Sequence, residues 1–322
     1  MTLKYLITGA TGGLGSQVLK HLSNHLPSSD YAAASSNEAS RAQFEKAGIT
    51  FRLANFDDPA TLEAAFADVE NLYFVSTNTF DNARRTVQHR NVIEAAKRVG
   101  VRHVWYTSLA FGGLGSDSKM SVQQAHLETE KMLKEAGITY TSIREGIYAD
   151  AFPLFLQWYP TIETIILPSD GVITYTSRDE LGEANAKLLL KGGHENEIIL
   201  LTANEPLTGG EIIKIINETT GRNVKLQLVS PEEYIKYHTE NDIGKKPESF
   251  WQQRISWFEG IAKGDADLKN PLMREVLGRE PKTGSQLIRE LLTENRDYTW
   301  HQNYIDKAQY EATLKKEHRN GK

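Results

Sequence analysis

Apolar and polar positions alternate between two periods along the first 150 residues. Short apolar runs at 4–8 (KYLIT), 30–35 (DYAAAS), 49–56 (ITFRLANF), 71–77 (NLYFVST), 101–109 (VRHVWYTSL) and 139–146 (TYTSIREG) read as strands. Between them lie stripes at helical spacing. Leu14, Val18 and Leu22, with Leu19 and Leu26, follow the first run. Residues 39–48 form a short helix closed by Gly48, and 58–69 place Leu62, Phe66 and Val69 on one face behind Pro59 in the first turn. Residues 86–99 turn Val92, Ala96 and Val99 inward, and 122–136 close at Gly137. Strand–helix alternation at this spacing predicts a doubly wound α/β fold, with a parallel sheet covered by helices on both faces.

After residue 150 the rhythm breaks. AFPLFLQWYP (151–160) packs Phe152, Phe155, Trp158 and Tyr159 between prolines, enough to line a pocket for a flat substrate, although ordinary core packing accounts for most such clusters. A helical stretch at 178–190 and an apolar run at 197–204 are expected to return to the main sheet. Helices at 208–221 and 249–263, the latter striped by Trp251, Ile255, Phe258 and Ala262, suggest a smaller, mostly helical second domain. The expected division is a dinucleotide domain at 1–150, with segments within 172–204 returning to it. A substrate domain follows at 151–293, then a charged helical tail at 294–322 carrying Tyr298, Trp300 and Tyr304.

The candidate chemistry begins with LITGATGGLGSQVLKHL, residues 6–22. Gly9, Gly12 and Gly15 fall between a strand and a helix. Glycines allow a tight turn and let backbone amides approach a pyrophosphate, while the helix N-terminus supplies unpaired N–H groups and partial positive charge. In the first unit of a doubly wound fold, this predicts a Rossmann dinucleotide site. The end of the second strand reads Ser35, Ser36, Asn37, with no carboxylate to bond ribose hydroxyls, and Arg41 lies five residues beyond Ser36. Small polar groups near an arginine suit a phosphate, which favours NADP(H) over NAD, unless Arg41 is simply a solvated helix residue.

The composition narrows the partners. With 37 basic against 42 acidic residues, the chain carries a net charge of −5 and lacks the basic excess expected of a nucleic-acid binder. It has no cysteine, which excludes disulfides, thiolate metal sites and cysteine nucleophiles. His301 has no second ligand at metal spacing, so no metal site is expected. No apolar run approaches the length of a membrane span, and no leader pattern precedes the first strand. A cytoplasmic location is the expectation, and a nuclear one is compatible with it.

GATGGLG, QHRNVIEAAKRVGVRHVWYTS (88–108) and HLETEKMLKEAGITYTSIREGIY (126–148) together resemble the NmrA-like proteins, atypical short-chain dehydrogenases/reductases. The likeness is strongest to the quinone reductase-like members, and it returns at 177–184 and 260–281. The resemblance implies an NAD(P)-binding domain and a small C-terminal domain around one cleft. It implies pyrophosphate contacts from Thr11, Gly12, Gly13 and Leu14, and Phe56 near the adenine. Ser76 and Thr77 would approach the nicotinamide-side ribose, with Thr107 and Ser108 beside the nicotinamide. Two departures stand out. The arginine that quinone reductase-like members carry near Ser36 is absent, which weakens the preference for NADP. The Tyr-x-x-x-Lys pair of ordinary superfamily members is also missing, because Leu127 stands four residues before Lys131.

His126 opens the same helix and is a candidate acid, since an unperturbed histidine titrates near neutrality; lining a pocket without chemistry is the equal alternative. Ser108 and Tyr148 are the other catalytic candidates, Tyr148 following the sixth strand where a side chain faces the cleft. Glu128 with Lys131, and Glu130 with Lys134, have ion-pair spacing and read as a solvated face. Two functions follow. One is an NADPH-dependent reductase acting on a quinone or conjugated carbonyl, an acceptor that needs less proton donation than alcohol formation. The other is a non-catalytic dinucleotide sensor that regulates a protein partner.

Overall fold

The computed structural model describes residues 2–115 and 117–303. The elements run β1 (Leu3–Ile7), α1 (Gly13–Ser23), β2 (Tyr31–Ser35), α2 (Arg41–Lys46), β3 (Thr50–Leu53), α3 (Pro59–Phe66), β4 (Val69–Phe74), α4 (Asn82–Val99), β5 (His103–Leu109), α5 (Ser121–Ala136) and β6 (Tyr140–Glu145). Then come β7 (Ile147–Tyr148), α6 (Phe152–Leu156), β8 (Thr164–Leu167), β9 (Val172–Thr176), α7 (Arg178–Lys191), β10 (Glu197–Leu201), β11 (Pro206–Thr208), α8 (Gly209–Thr220) and β12 (Lys225–Leu228). The chain continues through α9 (Pro231–Asn241), α10 (Glu248–Ala262), α11 (Leu272–Leu277) and α12 (Gly284–Glu294).

Seven parallel strands form the main sheet in the order β10-β6-β5-β4-β1-β2-β3. β1 lies between β2 and β4, with Leu6 level with Ala32 on one side and Leu72 on the other. The chain winds outward in both directions from β1, so the switch point is the crevice at the carboxyl ends of β1 and β4. Both faces are covered. Leu6, Phe66, Leu72 and Val92 pack on one side, and Ile7, Val18, Tyr73, Leu181 and Leu189 on the other.

The remaining residues make two small sheets, β11-β9-β7 and β12-β8, and a separate aromatic core around Phe152, Trp158, Trp251 and Phe258. β10 adds to β6 in parallel register as expected of the run at 197–204, whereas β9 belongs to the small sheet. α7 packs beneath the main sheet with α1. No helix among the described residues is long and apolar enough to cross a membrane.

Two boundaries differ from the sequence reading in ways that shape the site. β4 stops at Phe74, because the amides of Val75, Ser76 and Thr77 bond to side chains instead of a neighbouring strand. α4 begins at Asn82, four residues earlier than its apolar stripe, because Asp81 caps it by accepting the Arg84 amide. That first turn brings Arg84 and Arg85 to the crevice.

Candidate functional site

A cleft of about 810 Å³ runs along the carboxyl ends of the strands. At one end lies the glycine turn. Gly9 has φ +60°, open to glycine at little cost, and its carbonyl accepts the Gly12 amide at 2.8 Å. A Cβ on Gly15 would stand 2.3 Å from that carbonyl, so only glycine lets α1 start this close to β1. Gly12 caps α1 without a side-chain acceptor, and no acidic residue sits in the first turn. The first amides of α1 therefore have no side-chain competitor for an anion. Thr11 Oγ1 lies 3.2 Å from Ser35 Oγ, tying the turn to the end of β2, and Leu14 and Gly13 line the same wall.

A residue the sequence reading missed completes this end. Arg178, in the first turn of α7, lies against Gly13 so closely that a Cβ there would stand 1.8 Å from Nη1. Asp150 holds the guanidinium at 2.7 Å, and the Tyr148 ring lies beneath it at 4.5 Å. The signal in the sequence was the Ser177 cap, which accepts the Glu180 amide and fixes the start of α7 at the cleft.

The outer end of the cleft corrects part of the site expected from sequence. Ser36 and Phe56 line it, but Asn37 and Arg41 do not. Asn37 spends its side chain capping the turn at Ala39. Arg41 pairs with Glu38 through Nε and Nη2, and its guanidinium lies 4.8 Å above the Phe51 ring. A carboxylate three residues away satisfies it locally, as in the alternative of a solvated helix residue. Besides Arg178, two arginines on the cleft wall come from α4: Arg84, paired with Asp57 at 2.8 Å, and Arg85.

Behind the middle of the cleft lies a buried polar network. The Ser76 amide donates to Thr107 Oγ1 at 2.9 Å. The Thr77 amide donates to His89 Nε2 at 3.1 Å, so that nitrogen carries no proton. The His89 Nδ1–H then donates to Thr129 Oγ1 at 2.8 Å, whose own hydroxyl donates to the Ala125 carbonyl. The same logic applies to His126. Arg85 has only donors to offer, and its Nη1 lies 2.9 Å from His126 Nε2, so the proton of His126 sits on Nδ1 and points to Tyr106 Oη at 2.8 Å. Burial first, then the Arg85 charge, push the His126 pKa well below that of a free histidine. His126 lines the cleft as a neutral acceptor-facing ring. The expectation of an acid titrating near neutrality does not hold there, because Nε2 is already an acceptor and ionisation beside Arg85 is disfavoured.

Two buried carboxylates lie beside these groups, Glu130 from α5 and Glu145 from the end of β6. Ser108 Oγ donates to Glu130 Oε1 at 2.7 Å. Glu130 pairs with Arg144 at 2.7 Å, both side chains being almost inaccessible. This overturns the reading of Glu130 as a solvated partner of Lys134, whereas Glu128 and Lys131 do form an exposed pair at 3.9 Å. Tyr148 is half-buried on the cleft wall, and its hydroxyl donates to Glu145 Oε2 at 2.9 Å. Glu145, also on the wall, has no cation within ion-pair distance among the described residues, and burial pushes its pKa up to about 7.

Beyond Tyr148 the cleft turns apolar. Phe80, Phe111, Leu154, Phe155 and Trp257 wall it, and Phe155, Phe111 and Trp257 form one contiguous aromatic cluster. Of the four aromatics expected in 151–160, only Phe155 reaches the cleft; Phe152, Trp158 and Tyr159 are core. Trp300 and Gln302 line the rim. Up to Asn303 the C-terminal segment is therefore a strap with a single 3₁₀ turn, not the expected surface helix, because Trp158 binds its backbone. Tyr304 lies outside the described residues.

A doubly wound parallel sheet with a glycine turn opening on the switch-point crevice defines an NAD(P)-binding Rossmann protein. The chain belongs to the NmrA-like family, whose profile matches residues 1–254. It is 51% identical over 307 residues to the NmrA-like family domain-containing oxidoreductase flvB of Aspergillus flavus, covering 95% of this chain and 100% of that one. It is 33% identical to quinone oxidoreductase 2 of Escherichia coli over 71% of this chain and 78% of that protein. The NADPH complex of that enzyme superposes with a TM-score of 0.80 at 29% identity, covering 89% and 99% of the two chains. The Citrobacter sp. triphenylmethane reductase complexed with NADP(H) superposes with a TM-score of 0.78 at 30% identity over the same shares.

Proposed function

We propose that this protein is an NAD(P)H-dependent oxidoreductase that reduces a flat quinone or conjugated carbonyl, with NADPH preferred. One observation carries the reading. A single cleft joins an uncapped, carboxylate-free helix N-terminus to an aromatic-walled end, through a wall of buried neutral polar groups. The dinucleotide fits the residues present. The amides after Gly12 and the Arg178 guanidinium beside Gly13 suit a pyrophosphate, and the close approach of α1 to β1 at Gly15 and of Arg178 at Gly13 sets them together at one end of the cleft. Ser35 and Ser36, with no carboxylate, stand where an adenosine ribose and its phosphate would lie, and Phe56 borders the adenine. Ser76, Thr77, Thr107 and Ser108 line the middle of the cleft and would face the nicotinamide-side ribose and ring.

When bound, the reduced dinucleotide supplies a hydride. The chain's own contribution is orientation and exclusion of water. Phe111, Phe155 and Trp257 offer faces against which a planar acceptor stacks. Neutral His126 and the Arg85 behind it hold the polar wall rigid without placing a free acid against the nicotinamide. A quinone suits such a wall, because charge arriving on it delocalises to oxygen. The similarity to an E. coli quinone oxidoreductase and to a dye reductase, both solved with NADPH or NADP(H), supports the same choice.

The test is oxidation of NADPH and NADH by the purified protein with menadione, a panel of other quinones, enones and triphenylmethane dyes. Turnover with at least one planar acceptor is expected, with NADPH bound at least tenfold more tightly than NADH, a difference of about 1.4 kcal/mol. Binding of both dinucleotides with no acceptor reduced would overturn the reading and favour a dinucleotide sensor.

A further inference from the structure

The buried carboxyl of Glu145 stands on the cleft wall, and the proposed function gives it no part in the chemistry. Its two oxygens differ. Oε1 accepts from Asn185 Nδ2 at 2.9 Å and from Tyr73 Oη at 3.4 Å. The Asn185 amide is fixed in this orientation, because the same nitrogen also donates to the Leu181 carbonyl at 2.8 Å. With Oε1 taken by donors, a proton on the carboxyl belongs on Oε2, the atom that faces Tyr148 Oη at 2.9 Å. The groups facing Glu145 are Tyr73 from β4, Tyr148 from β7, and Asn185 and Arg178 from α7. Arg178 is the one cation among them; it pairs with Asp150 and lies over the Tyr148 ring.

We propose that Tyr148 and Glu145 form a proton relay at the substrate end of the cleft, in which Tyr148 protonates the substrate oxygen and Glu145 aims and replenishes the phenol. The proposal rests on the oxidoreductase reading above. When Glu145 is ionised, the Tyr148 O–H donates to Oε2 and points away from the cleft. When Glu145 is protonated, its own O–H donates to Tyr148 Oη, and the phenol hydrogen is released to the cleft. The substrate gains a hydride, with its two electrons, from the reduced nicotinamide and a proton from the Tyr148 O–H bond. The Glu145 O–H bond then breaks to restore the phenol, and the carboxylate regains its proton from solvent. The Arg178 charge over the ring stabilises the phenolate while it exists. Burial holds the carboxyl protonated to about pH 7, so the relay is loaded at and below neutrality. Tyr148 is the catalytic residue and Glu145 its positioning partner.

The experiment uses the full-length protein with NADPH and menadione, and follows kcat against pH in the wild type, Glu145→Gln and Tyr148→Phe. Wild-type kcat is expected to fall as pH rises through neutrality. Glu145→Gln should lower kcat about a hundredfold and abolish that limb, while NADPH affinity, read by nicotinamide fluorescence, stays within about twofold. Tyr148→Phe should lower kcat comparably, with the double variant no worse than either, because the two act as a unit. Infrared difference spectra of the dinucleotide-free protein give a readout independent of turnover: a protonated-carboxyl band that titrates near neutrality and is lost in Glu145→Gln. If the Gln variant does not fold, Tyr148→Phe, which leaves the carboxyl in place, and the wild-type infrared titration decide the matter. An active wild type whose pH profile survives Glu145→Gln, or whose Glu145 is ionised throughout, overturns the relay and leaves the oxidoreductase reading standing. A wild type that reduces no acceptor overturns both.

Discussion

His126 shows how far a single residue can be read without its neighbours. The family resemblance points to it as a pocket residue, and it lines the cleft, but its protonation follows from groups elsewhere in the chain. The groups that set it are Arg85 from α4 and Tyr106 from β5, 41 and 20 residues away. A histidine buried neutral has a folded pKa below its unfolded value. Protons therefore bind the unfolded state preferentially below about pH 6.5, and stability falls as pH drops through that value. His126 and His89 both lie in this regime, each shifted well down, first by burial. The wild type should lose stability on acidification from pH 7 to 5 by up to about 1.4 kcal/mol per pH unit for each group. His126→Gln should flatten the slope by about one proton's worth, because glutamine never titrates. Urea unfolding at a series of pH values measures the slope, and a variant with the wild-type slope would show that His126 is protonated in the folded state. Arg41 shows the competing pull of two spacings. Its spacing to Ser36 suited a phosphate, but its spacing to Glu38 suited an ion pair, and the nearer partner holds it.

At the scale of elements, the helices and strands of the first half were legible because each carries enough residues to show a period. β7 and β11, of two and three residues, cannot show one. α9 could have been read: Ser230, Pro231 and Glu233 form a capping box with proline at the first turn, and the structure has both reciprocal bonds. α5 exposes a deeper ambiguity. Glu130 is four residues from both His126 and Lys134, so spacing permits either an inward polar face or an outward ion pair. The face is decided by β6, where Arg144 points to the same interior and donates from Nε at 3.0 Å and Nη2 at 2.7 Å to the two oxygens of Glu130. Arg144 also donates to the Gly113 carbonyl at 2.9 Å, so the pair fixes the loop after β5. Removing one partner of such a pair leaves an uncompensated buried charge. Glu130→Ala should cost about 3–5 kcal/mol in urea unfolding, whereas Lys134→Ala should stay within about 0.5 kcal/mol. The combined replacement Glu130→Leu with Arg144→Met should cost less than Glu130→Ala alone. Equal costs for Glu130→Ala and Lys134→Ala would return Glu130 to the surface.

At the scale of the whole molecule, the cleft is closed by chain that no local pattern marks. Residues 298–303 carry no periodic stripe, and their placement comes from contacts 57 to 224 residues distant. Trp158 is the anchor: its Nε1 donates to the Tyr298 carbonyl at 3.0 Å, and its carbonyl accepts from Thr299 Oγ1 and Asn303 Nδ2. Buried Lys246, paired with Asp242, donates to the Asn303 carbonyl and fixes the far end. Between these anchors Trp300 and Gln302 face the cleft. Gln302 Nε2 bonds Asn78 Oδ1 at 2.6 Å on the opposite bank, and Trp300 lies 6.0 Å from the Arg178 guanidinium. The strap thus rests on the loop after β4 and on the arginine beside the glycine turn, the two walls between which a dinucleotide would lie. Trp300→Ala and Gln302→Ala remove these rim contacts and leave the Trp158 and Lys246 anchors intact. Each should weaken dinucleotide binding about threefold and the pair about tenfold, since a cation near a half-buried ring contributes about 0.5–1 kcal/mol, and the melting temperature should fall less than on removal of the anchors. Ending the chain at Asp297 should act differently. It takes away the Asn303 carbonyl and exposes the Lys246–Asp242 pair, so stability should fall together with affinity. Fluorescence titration and thermal melts on the same samples separate the two effects. Unchanged affinity in the double variant would make the strap a structural tie and leave the cleft open at its rim.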